Sequence, residues 1–432
     1  MSKIAVLGGG WAGITLALEL KRTHPLADVI VLEREREPGG LLRSVTLEGH
    51  VVDAGGSHVI FSRNEEVLKR MLELLSSNYT PHSRKSFVRM GHHFIPYPIE
   101  NGLYVLPPEE RAEALVSFLE ALLSLEEGWR PGNLREWIRG FFGRWIAERY
   151  LEPYNRKVWK RPLEVIDIDW VYTPGRLPIP DWRDVVRAAS GVPTIGYREQ
   201  AIFYYPLKGG IEALFEAAYR RALELGVKVA TGTPVRSLRK VGGSFVVNER
   251  FRVEKVYSTI PLRELVRAAE APESIIKAAE DLDYNRVLVV GVALKGLAPN
   301  QHWVYVPDED VLFHRYAWIS NYSPYNAPQG ESTLIAEVTL PPHASTKGDI
   351  VERVIEQLAD LGIIDEPQIL RVDAWLHEYG YPVHTLSRQK ALREIREWLN
   401  NAEIESVGRW GSWEYWNMDR VYAEVLKLVQ GS

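Results

Sequence analysis

The sequence predicts an α/β protein that combines a parallel βαβ unit, a helical insert and a mainly antiparallel β-sheet. Two apolar runs, residues 3–7 and 29–32, flank a glycine turn and a helix-forming segment, which is the pattern of a βαβ start. Between residues 107 and 150 the apolar side chains recur at helical spacing. From residue 286 to residue 339, short β-rich runs alternate with turns. These three patterns define the predicted fold class.

Later segments of the chain repeat the αβ pattern of the N-terminus. Gly209 and Gly210 open a predicted helix over residues 211–225, which leads into a short strand at residues 227–229. A glycine- and aromatic-rich loop at residues 408–418 precedes a last predicted helix. We therefore expect the early and late αβ pieces to share one discontinuous domain.

A chain of 432 residues is long enough for two or three domains. The discontinuous αβ domain is predicted to comprise residues 1–80, 205–262 and 395–432. The helical insert domain is predicted at residues 105–195, and no helix should cross its proline-rich stretch at 174–180. The antiparallel sheet domain is predicted to comprise residues 81–104, 196–204 and 263–394.

Composition and charge exclude several classes of protein. The net charge of −5 argues against nucleic acid or an anionic membrane surface as a partner. The chain has no cysteine, which removes disulfides, thiol nucleophiles and thiolate metal sites, and we predict no metal site. No run of about 18 apolar residues occurs, so we expect no membrane span and a cytoplasmic location.

A glycine-rich turn follows the first predicted strand. Residues 8–13 (GGGWAG) fit the pattern G-x-G-x-x-G, which lets backbone N–H groups approach a pyrophosphate at a helix N-terminus. Glu33 follows Gly13 by twenty positions and ends the second strand, where a carboxylate can accept hydrogen bonds from ribose hydroxyls. Strand, helix and acid in this register predict a Rossmann-like dinucleotide site rather than an unrelated glycine turn.

Two further glycine turns favour FAD over NAD as the dinucleotide. Residues 37–44 (EPGGLLRS) bring a glycine pair just after the acidic residue, where Arg43 can reach a phosphate or the flavin edge. Residues 53–58 (DAGGSH) add a third glycine turn, which carries His58. This succession resembles the FAD-binding amine-oxidase and mutase superfamily.

Four separated segments are similar to the UDP-galactopyranose mutases, and more to their eukaryotic branch than to their bacterial one. They are residues 153–159 (PYNRKVW), 203–210 (FYYPLKGG), 321–326 (NYSPYN) and 408–415 (GRWGSWEY). The resemblance implies an isomerase that interconverts UDP-galactopyranose and UDP-galactofuranose. In such enzymes N5 of reduced FAD attacks the anomeric carbon and displaces UDP, with no net redox change. The implied partners are FAD and a UDP-sugar, and the oligomeric state stays open.

The same resemblance assigns roles to individual residues. Arg176 and Arg315 match arginines that grip the diphosphate, and charge-assisted hydrogen bonds contribute about 1.5–3 kcal/mol each. His58 matches a histidine whose hydrogen bond near the flavin N5 responds to reduction. His58, Arg176 and Arg315 are therefore the predicted catalytic residues.

The remaining assignments concern binding. The predicted substrate-binding residues are Asn155, Trp159, Arg176, Gln200, Tyr305, Arg315, Tyr381, Tyr415 and Asn417. The predicted cofactor-binding residues are Gly8, Gly10, Trp11, Ala12, Gly13, Glu33, Arg34, Gly40, Leu41, Arg43, Ser44, Gly56, Ser57, His58, Val235, Arg409, Asn417 and Met418.

The reductant of the flavin is left open by the sequence. Eukaryotic relatives use NADPH through an arginine and a serine that align with Arg84 and Ser86, whereas bacterial relatives lack that arrangement. The basic pair formed by Arg84 and Lys85 equally fits a solvated turn. The sequence therefore leaves two interpretations of Arg84: a contact for NAD(P)H, or a residue of a solvated turn.

Four departures from the family pattern leave the sugar and base specificity open, one of which is a segment between Tyr415 and Asn417 that is two residues shorter than in eukaryotic relatives. Glu100 stands where eukaryotic relatives have glutamine, Gln200 replaces an asparagine on the uridine side, and Ser57 is an extra residue in the histidine loop. One alternative function is an oxidoreductase similar to amine or protoporphyrinogen oxidases, which shares the FAD argument but assigns no role to paired arginines and tyrosines. Another is a protein that binds a UDP-sugar without turnover.

Overall fold

The computed structural model describes residues 2–173, 176–177, 179–194, 196, 201–345 and 348–431. Its helices, numbered in chain order, are α1 (Trp11–Thr23), α2 (Glu65–Leu75), α3 (Ile99–Gly102), α4 (Pro108–Ser124), α5 (Leu134–Ile146), α6 (Glu152–Trp159), α7 (Trp182–Ala189), α8 (Glu212–Glu224), α9 (Leu262–Ala268), α10 (Glu273–Glu280), α11 (Ile350–Asp360), α12 (Arg388–Asn401) and α13 (Met418–Gln430).

The strands are β1 (Lys3–Leu7), β2 (Asp28–Leu32), β3 (Ser44–Leu47), β4 (His50–Asp53), β5 (Thr80–Ser83), β6 (Ser86–Met90), β7 (His93–Pro96), β8 (Ile202–Tyr205), β9 (Lys228–Ala230), β10 (Leu238–Val241), β11 (Ser244–Val247), β12 (Phe251–Val253), β13 (Lys255–Ser258), β14 (Tyr284–Lys295), β15 (Trp303–Tyr305), β16 (Arg315–Trp318), β17 (Glu331–Leu340), β18 (Ile369–Pro382) and β19 (Ile404–Ser406).

A five-stranded parallel sheet has the strand order β19-β13-β1-β2-β9. Ile4 and Val6 of β1 pack into the core that also contains residues of α1, α8 and α13. Ala5 and Leu7 pack on the opposite face, in a core shared with α9, α10 and α12. Because helices cover both faces, a strand at the centre of such a sheet is a continuous apolar run. The predicted βαβ start is confirmed.

A seven-stranded sheet has the order β18-β14-β17-β16-β15-β6-β7, and only the β15–β6 pairing is parallel. Val287 and Val289 of β14 join the core beneath the parallel sheet. Val290 and Val292 face the other way and pack with residues of α11. This alternation follows from the two-residue period of a strand. The predicted mainly antiparallel sheet is confirmed.

The helical segment contains α4, α5, α6 and α7. Phe118, Trp137 and Phe142 fill its core, which confirms the helical pattern predicted for residues 107–150. Gly143 interrupts α5 with φ 73°, and a Cβ there would lie 2.4 Å from the carbonyl oxygen of Ser117. The glycine therefore lets α4 and α5 approach closely while the chain changes direction.

A buried lysine joins this helical segment to the seven-stranded sheet. The Nζ of Lys157, on α6, donates to the carbonyl oxygens of Val306, Asp308 and Phe313 at 2.7–2.8 Å. Burial lowers the pKa of Lys157 to about 7. Since these carbonyls belong to the connection between β15 and β16, the lysine fixes α6 relative to that hairpin.

The parallel sheet draws its strands from chain segments far apart in sequence, between residue 3 and residue 406. The residues at which we divide the three domains remain a proposal. Among the described residues, no helix combines the length and the apolar character needed to cross a bilayer.

Candidate active site

A cavity of about 1040 Å³ is lined by residues from the parallel sheet, the seven-stranded sheet and the helical segment. Ligand pockets in proteins commonly measure about 300–1,000 Å³. The cavity is therefore large enough for an extended ligand, and its two ends differ in chemistry.

One end lies at the carboxyl ends of β1 and β2. The carboxylate of Glu33 is buried and accepts the backbone N–H of Gly9 at 2.6 Å and that of Glu35 at 2.8 Å, one on each oxygen. A carboxylate has about four lone-pair sites. Glu33 is thus held in place by the main chain and retains acceptor capacity for hydroxyl groups.

Two glycine turns meet beside the N-terminus of α1. Gly10 forms an isolated β-bridge with Gly39, and a Cβ on Gly40 would lie 3.4 Å from the Cα of Gly10. Helix α1 begins after Gly10 without a side-chain cap. Its first N–H groups therefore lie next to glycine backbone that has no side chains, so a phosphate can approach them closely.

A second helix begins at the same cavity. Helix α13 follows Asn417, whose side chain makes no capping hydrogen bond. The Nε1 of Trp11 donates to the carbonyl oxygen of Met418 at 3.0 Å, which ties the start of α1 to the start of α13. Two helix N-termini, each carrying partial positive charge, thus line one cavity.

Two arginines lie against the ring of a single tyrosine, Tyr415. The guanidinium carbon of Arg176 lies 3.4 Å from the ring centroid of Tyr415, and that of Arg409 lies 4.8 Å from it. Arg176 donates through Nη2 to the Tyr415 carbonyl and to Asn417 Oδ1, both at 2.8 Å. Arg409 donates to the carbonyl oxygens of Trp416 and Gly380, both at 2.9 Å.

No carboxylate of the described residues forms a salt bridge with either of these guanidinium groups. Burial lowers the pKa of Arg409 to about 10, so the group still carries its charge at neutral pH. Arg176 and Arg409 therefore form no salt bridge with the described residues, while Arg176 interacts electrostatically with Asp419 in the same cavity wall.

Arg315, unlike Arg176 and Arg409, forms a salt bridge with a carboxylate, that of Glu337. Its Nη2 contacts both oxygens of Glu337, at 2.6 and 2.8 Å, and its Nε contacts Oε1 at 3.1 Å. Glu337 is buried and also accepts the N–H of Ser57 at 3.0 Å and the hydroxyl of Tyr381 at 3.3 Å. The Glu337 carboxylate was not predicted from the sequence, although a lone acid inside the apolar run of β17 is the signal that marks it.

His58 lies on the third glycine turn. Its Nδ1 is 2.8 Å from the carbonyl oxygen of Gly56, which can only accept, so Nδ1 carries the proton. Burial lowers the pKa of His58 to about 4. The neutral ring therefore keeps Nε2 as a hydrogen-bond acceptor.

Aromatic side chains, among them Trp159 and Trp170, line another part of the cavity. Trp159 donates through Nε1 to Asn155 Oδ1 at 3.0 Å, and the amide nitrogen of Asn155 donates to the Leu151 carbonyl at 2.8 Å. The ring centroid of Trp159 lies 4.9 Å from that of Trp170 and 5.4 Å from that of Tyr415, and both pairs are edge-to-face. Asn155 and Trp159, both predicted as ligand contacts, are thus hydrogen-bonded to each other in the cavity wall.

The structure brings most of the predicted site residues to this cavity. Those that line it are Gly8, Gly10, Trp11, Ala12, Glu33, Arg34, Gly40, Leu41, Arg43, Ser57, His58, Asn155, Trp159, Arg176, Val235, Tyr305, Arg315, Tyr381, Arg409, Tyr415, Asn417 and Met418. Lining residues that were not predicted include Tyr97, Tyr150, Tyr154, Trp170, His314, Glu337 and Trp416.

Three predicted cofactor contacts do not line the cavity: Gly13, Ser44 and Gly56. A Cβ at Gly13 would lie 1.9 Å from the Gly8 carbonyl oxygen, so this glycine serves the close packing of helix against turn. Ser44 instead donates to Asp53 at 2.7 Å. Gly56 has φ 101° and shapes the histidine turn.

Two further positions from the sequence analysis have separate outcomes. Gln200, predicted as a substrate contact, lies outside the described residues. Glu100 is buried in α3 without lining the cavity, and burial raises its pKa to about 7.

We expect His58 to make folding less favourable in acid. Its folded-state pKa of about 4 lies below the ordinary value of 6.5, so between these pH values the unfolded chain binds a proton that the folded chain does not. Stability from this group is complete above pH 6.5 and is lost as the pH falls toward 4. The melting temperature should fall more steeply in this window for the wild type than for His58→Gln. Parallel pH profiles would contradict a buried neutral His58.

Comparison with known proteins identifies the family. The model of the flavin-containing amine oxidoreductases matches residues 11–397. A reduced UDP-galactopyranose mutase superposes with a TM-score of 0.90 at 23% identity, covering 100% of this chain and 93% of its own. A putative protoporphyrinogen oxidase from Exiguobacterium sp. 255-15 gives 0.72 at 17%, covering 100% and 99%. A fatty acid isomerase from P. acnes gives 0.66 at 15%, covering 100% and 98%. The structural matches show a shared fold, and the family match shows that the chain belongs to the flavin-containing amine oxidoreductases.

Proposed function

We propose that this protein is an FAD-dependent isomerase that interconverts UDP-galactopyranose and UDP-galactofuranose. The observation that carries the proposal is the pair of guanidinium groups, Arg176 and Arg409, that flank Tyr415 without a carboxylate partner among the described residues. The Nε atoms of Arg176 and Arg409 are buried and have no hydrogen-bond partner among the described residues, so an anionic ligand in the cavity would satisfy two charged donors. The likeness in fold to a UDP-galactopyranose mutase supports the choice of a UDP-sugar.

The residues present fit FAD as the resident cofactor. We assign the ribose hydroxyls to Glu33, the pyrophosphate to the glycine wall at the start of α1, and the pyrimidine end of the flavin to the start of α13. No capping or acidic side chain stands in the first turn of α1, so its N–H groups remain for an acceptor, whereas at the start of α13 the Asp419 carboxylate already accepts the backbone N–H of Arg420. When bound in its reduced form, the flavin supplies the nucleophile, N5, for the anomeric carbon of the sugar.

The arginines would hold the nucleotide while its sugar changes ring size. Arg315 uses Nε and Nη2 on Glu337, so we assign its Nη1 to the diphosphate. The Nη2 of Arg176 is held in place by hydrogen bonds to the Tyr415 carbonyl oxygen and to Asn417 Oδ1. A group held in place reacts at an effective concentration of about 10⁵ M or more, which is the advantage of retaining UDP for the return step.

His58 is assigned a role in sensing the state of the cofactor. Because its Nδ1–H is bound to Gly56, its Nε2 can accept an N–H that is present on the flavin only after reduction. The residue would thereby favour the reduced form that the isomerisation needs. At neutral pH the low pKa of His58 keeps this acceptor available.

An oxidoreductase like the amine or protoporphyrinogen oxidases is the alternative within the same family. It would use the same cofactor site and would produce peroxide from oxygen with an amine or porphyrinogen substrate. A protein that binds UDP-sugars without turnover would show UDP binding but no isomerisation after reduction. The arginines at the cavity wall favour an anionic ligand over a cationic amine, whereas a porphyrinogen, which carries propionate groups, is distinguished by peroxide formation.

We expect the two diphosphate arginines to be needed for turnover. Anaerobic enzyme reduced with dithionite should convert UDP-galactofuranose to UDP-galactopyranose, and Arg176→Ala and Arg315→Ala should each lower kcat/KM at least about tenfold, or about 1.4 kcal/mol. Arg176→Lys should restore little, because an ammonium group cannot stack on the Tyr415 ring as the planar guanidinium does, 3.4 Å from the ring centroid.

The matched control is Arg221→Ala, which removes an exposed arginine paired with Glu224 on α8. Melting temperatures of all variants separate lost activity from lost folding. Equal activity of the oxidised enzyme, or indifference to both site substitutions, would rule the proposal out.

We further propose NAD(P)H as the reductant, with Arg84 as its contact. Arg84 lines the cavity, donates through Nε to Ser86 at 2.7 Å and lies 4.6 Å from the Tyr97 ring centroid. Arg84→Ala should slow flavin reduction by NADPH at least about tenfold, while dithionite reduction and the subsequent isomerisation stay unchanged. Reduction at wild-type rates in this variant, monitored by the flavin absorbance, would remove Arg84 from the reductant site.

A further inference from the structure

A network of charged groups adjoins Tyr415; its His384 and Arg388 are buried, and its Asp169 and Glu414 are partly exposed. Arg388, the first residue of α12, is fully buried and contacts Asp169 Oδ2 and Glu414 Oε2, each at 2.5 Å. Its Nε donates to the Trp413 carbonyl at 3.0 Å. One guanidinium thus binds two carboxylates and the main chain just before Tyr415.

His384 connects this network to the tyrosine itself. It is buried, and its Nδ1 lies 2.6 Å from Asp169 Oδ1. The backbone N–H of Tyr415 donates to its Nε2 at 3.2 Å. Since that N–H can only donate, Nε2 must carry the lone pair and Nδ1 the proton, which the carboxylate of Asp169 accepts.

The network joins three segments that are distant in sequence. Asp169 precedes Arg176 in the stretch between α6 and α7, His384 follows β18, and Glu414 lies in the loop before α13. A main-chain hydrogen bond from Asp167 N–H to the His384 carbonyl, at 2.7 Å, strengthens the same junction. The segment leading to Arg176 and the loop carrying Tyr415 are therefore held against each other at one point.

We propose that His384 and Arg388 are positioning residues that fix the Tyr415 main chain, and with it the stacked guanidinium of Arg176, in the geometry that binds a nucleoside diphosphate. This inference rests on the proposed function of the same cavity. Neither residue lines the cavity, so each acts through Tyr415. The Tyr415 carbonyl is itself the hydrogen-bond acceptor for Arg176 Nη2, which makes the link direct.

The tautomer of His384 makes the link sensitive to protonation. If Nε2 were protonated, its N–H would face the backbone N–H of Tyr415, and the hydrogen bond between them would be lost because both groups are donors. The charged groups that face the ring are Asp169, Arg388 and Glu414, the last at 3.9 Å from Nε2. Burial lowers the pKa of His384, which favours the neutral form that the contact requires.

Two substitutions at one position separate the two bonds of His384. The amide oxygen of glutamine reaches the place of Nε2 and can accept from Tyr415, whereas asparagine reaches only the place of Nδ1 and keeps the bond to Asp169. Binding of UDP to the oxidised holoenzyme is measured by titration calorimetry, with the melting temperature of each variant as the measure of folding.

We expect His384→Asn to weaken UDP binding at least about tenfold, while His384→Gln retains most of the wild-type affinity. The wild type should also lose UDP affinity toward acid pH relative to His384→Gln, which has no imidazole to protonate. Wild-type affinity in His384→Asn, or equal losses in both variants that follow their melting temperatures, would overturn the positioning role. A wild type that does not bind UDP would instead overturn the proposed function, and the inference with it.

Discussion

The site depends on two cavity-lining guanidinium groups that form no salt bridge with the described residues. Arg176 and Arg409 lie against one tyrosine ring, and no carboxylate of the described chain pairs with them. Their hydrogen-bond partners are carbonyl and amide oxygens, which orient the guanidinium groups without cancelling their charge. An anion in the cavity would complete these groups, and the helix starts at Trp11 and Met418 add partial positive charge of the same sign.

The fold builds this arrangement from segments that are remote in the chain. Lys157 fixes α6 to the β15–β16 connection, and that hairpin presents Tyr305 and Arg315. The network around Arg388 ties the stretch before Arg176 to the loop of Tyr415. Lys157 donates to three carbonyl oxygens, and Arg388 forms ion pairs with Asp169 and Glu414, so each buried charge stabilises one geometry because leaving it unpaired would be costly. The positions of the cavity walls are thus set by contacts between segments that are remote in the chain.

Local spacing made part of the site predictable from sequence. Glu33 follows from its distance to the glycine turn, and the structure places its carboxylate beside that turn. The spacing of Asn155 and Trp159 also permits their hydrogen bond to be predicted, since residues four apart lie on the same face of a helix. Glu337 was missed because it meets Arg315 across two strands, and the register of β16 on β17 is set by the folded sheet rather than by neighbouring sequence. The contact of Asp169 with His384, 215 positions away, carries no local signal at all. Patterns of three to twenty residues therefore predicted the elements and the cofactor turn, and long-range pairing decided how the arginines are held.

The central claim is that the cavity recognises a nucleoside diphosphate through its arginines. Calorimetric titration of the oxidised holoenzyme with UDP and with uridine tests this most directly, because the two ligands share the base and ribose and differ only in the charged group. Two charge-assisted contacts of about 1.5–3 kcal/mol each predict that UDP binds at least about 100-fold more tightly than uridine. Equal affinities for the two ligands, or no binding of UDP at all, would contradict the account.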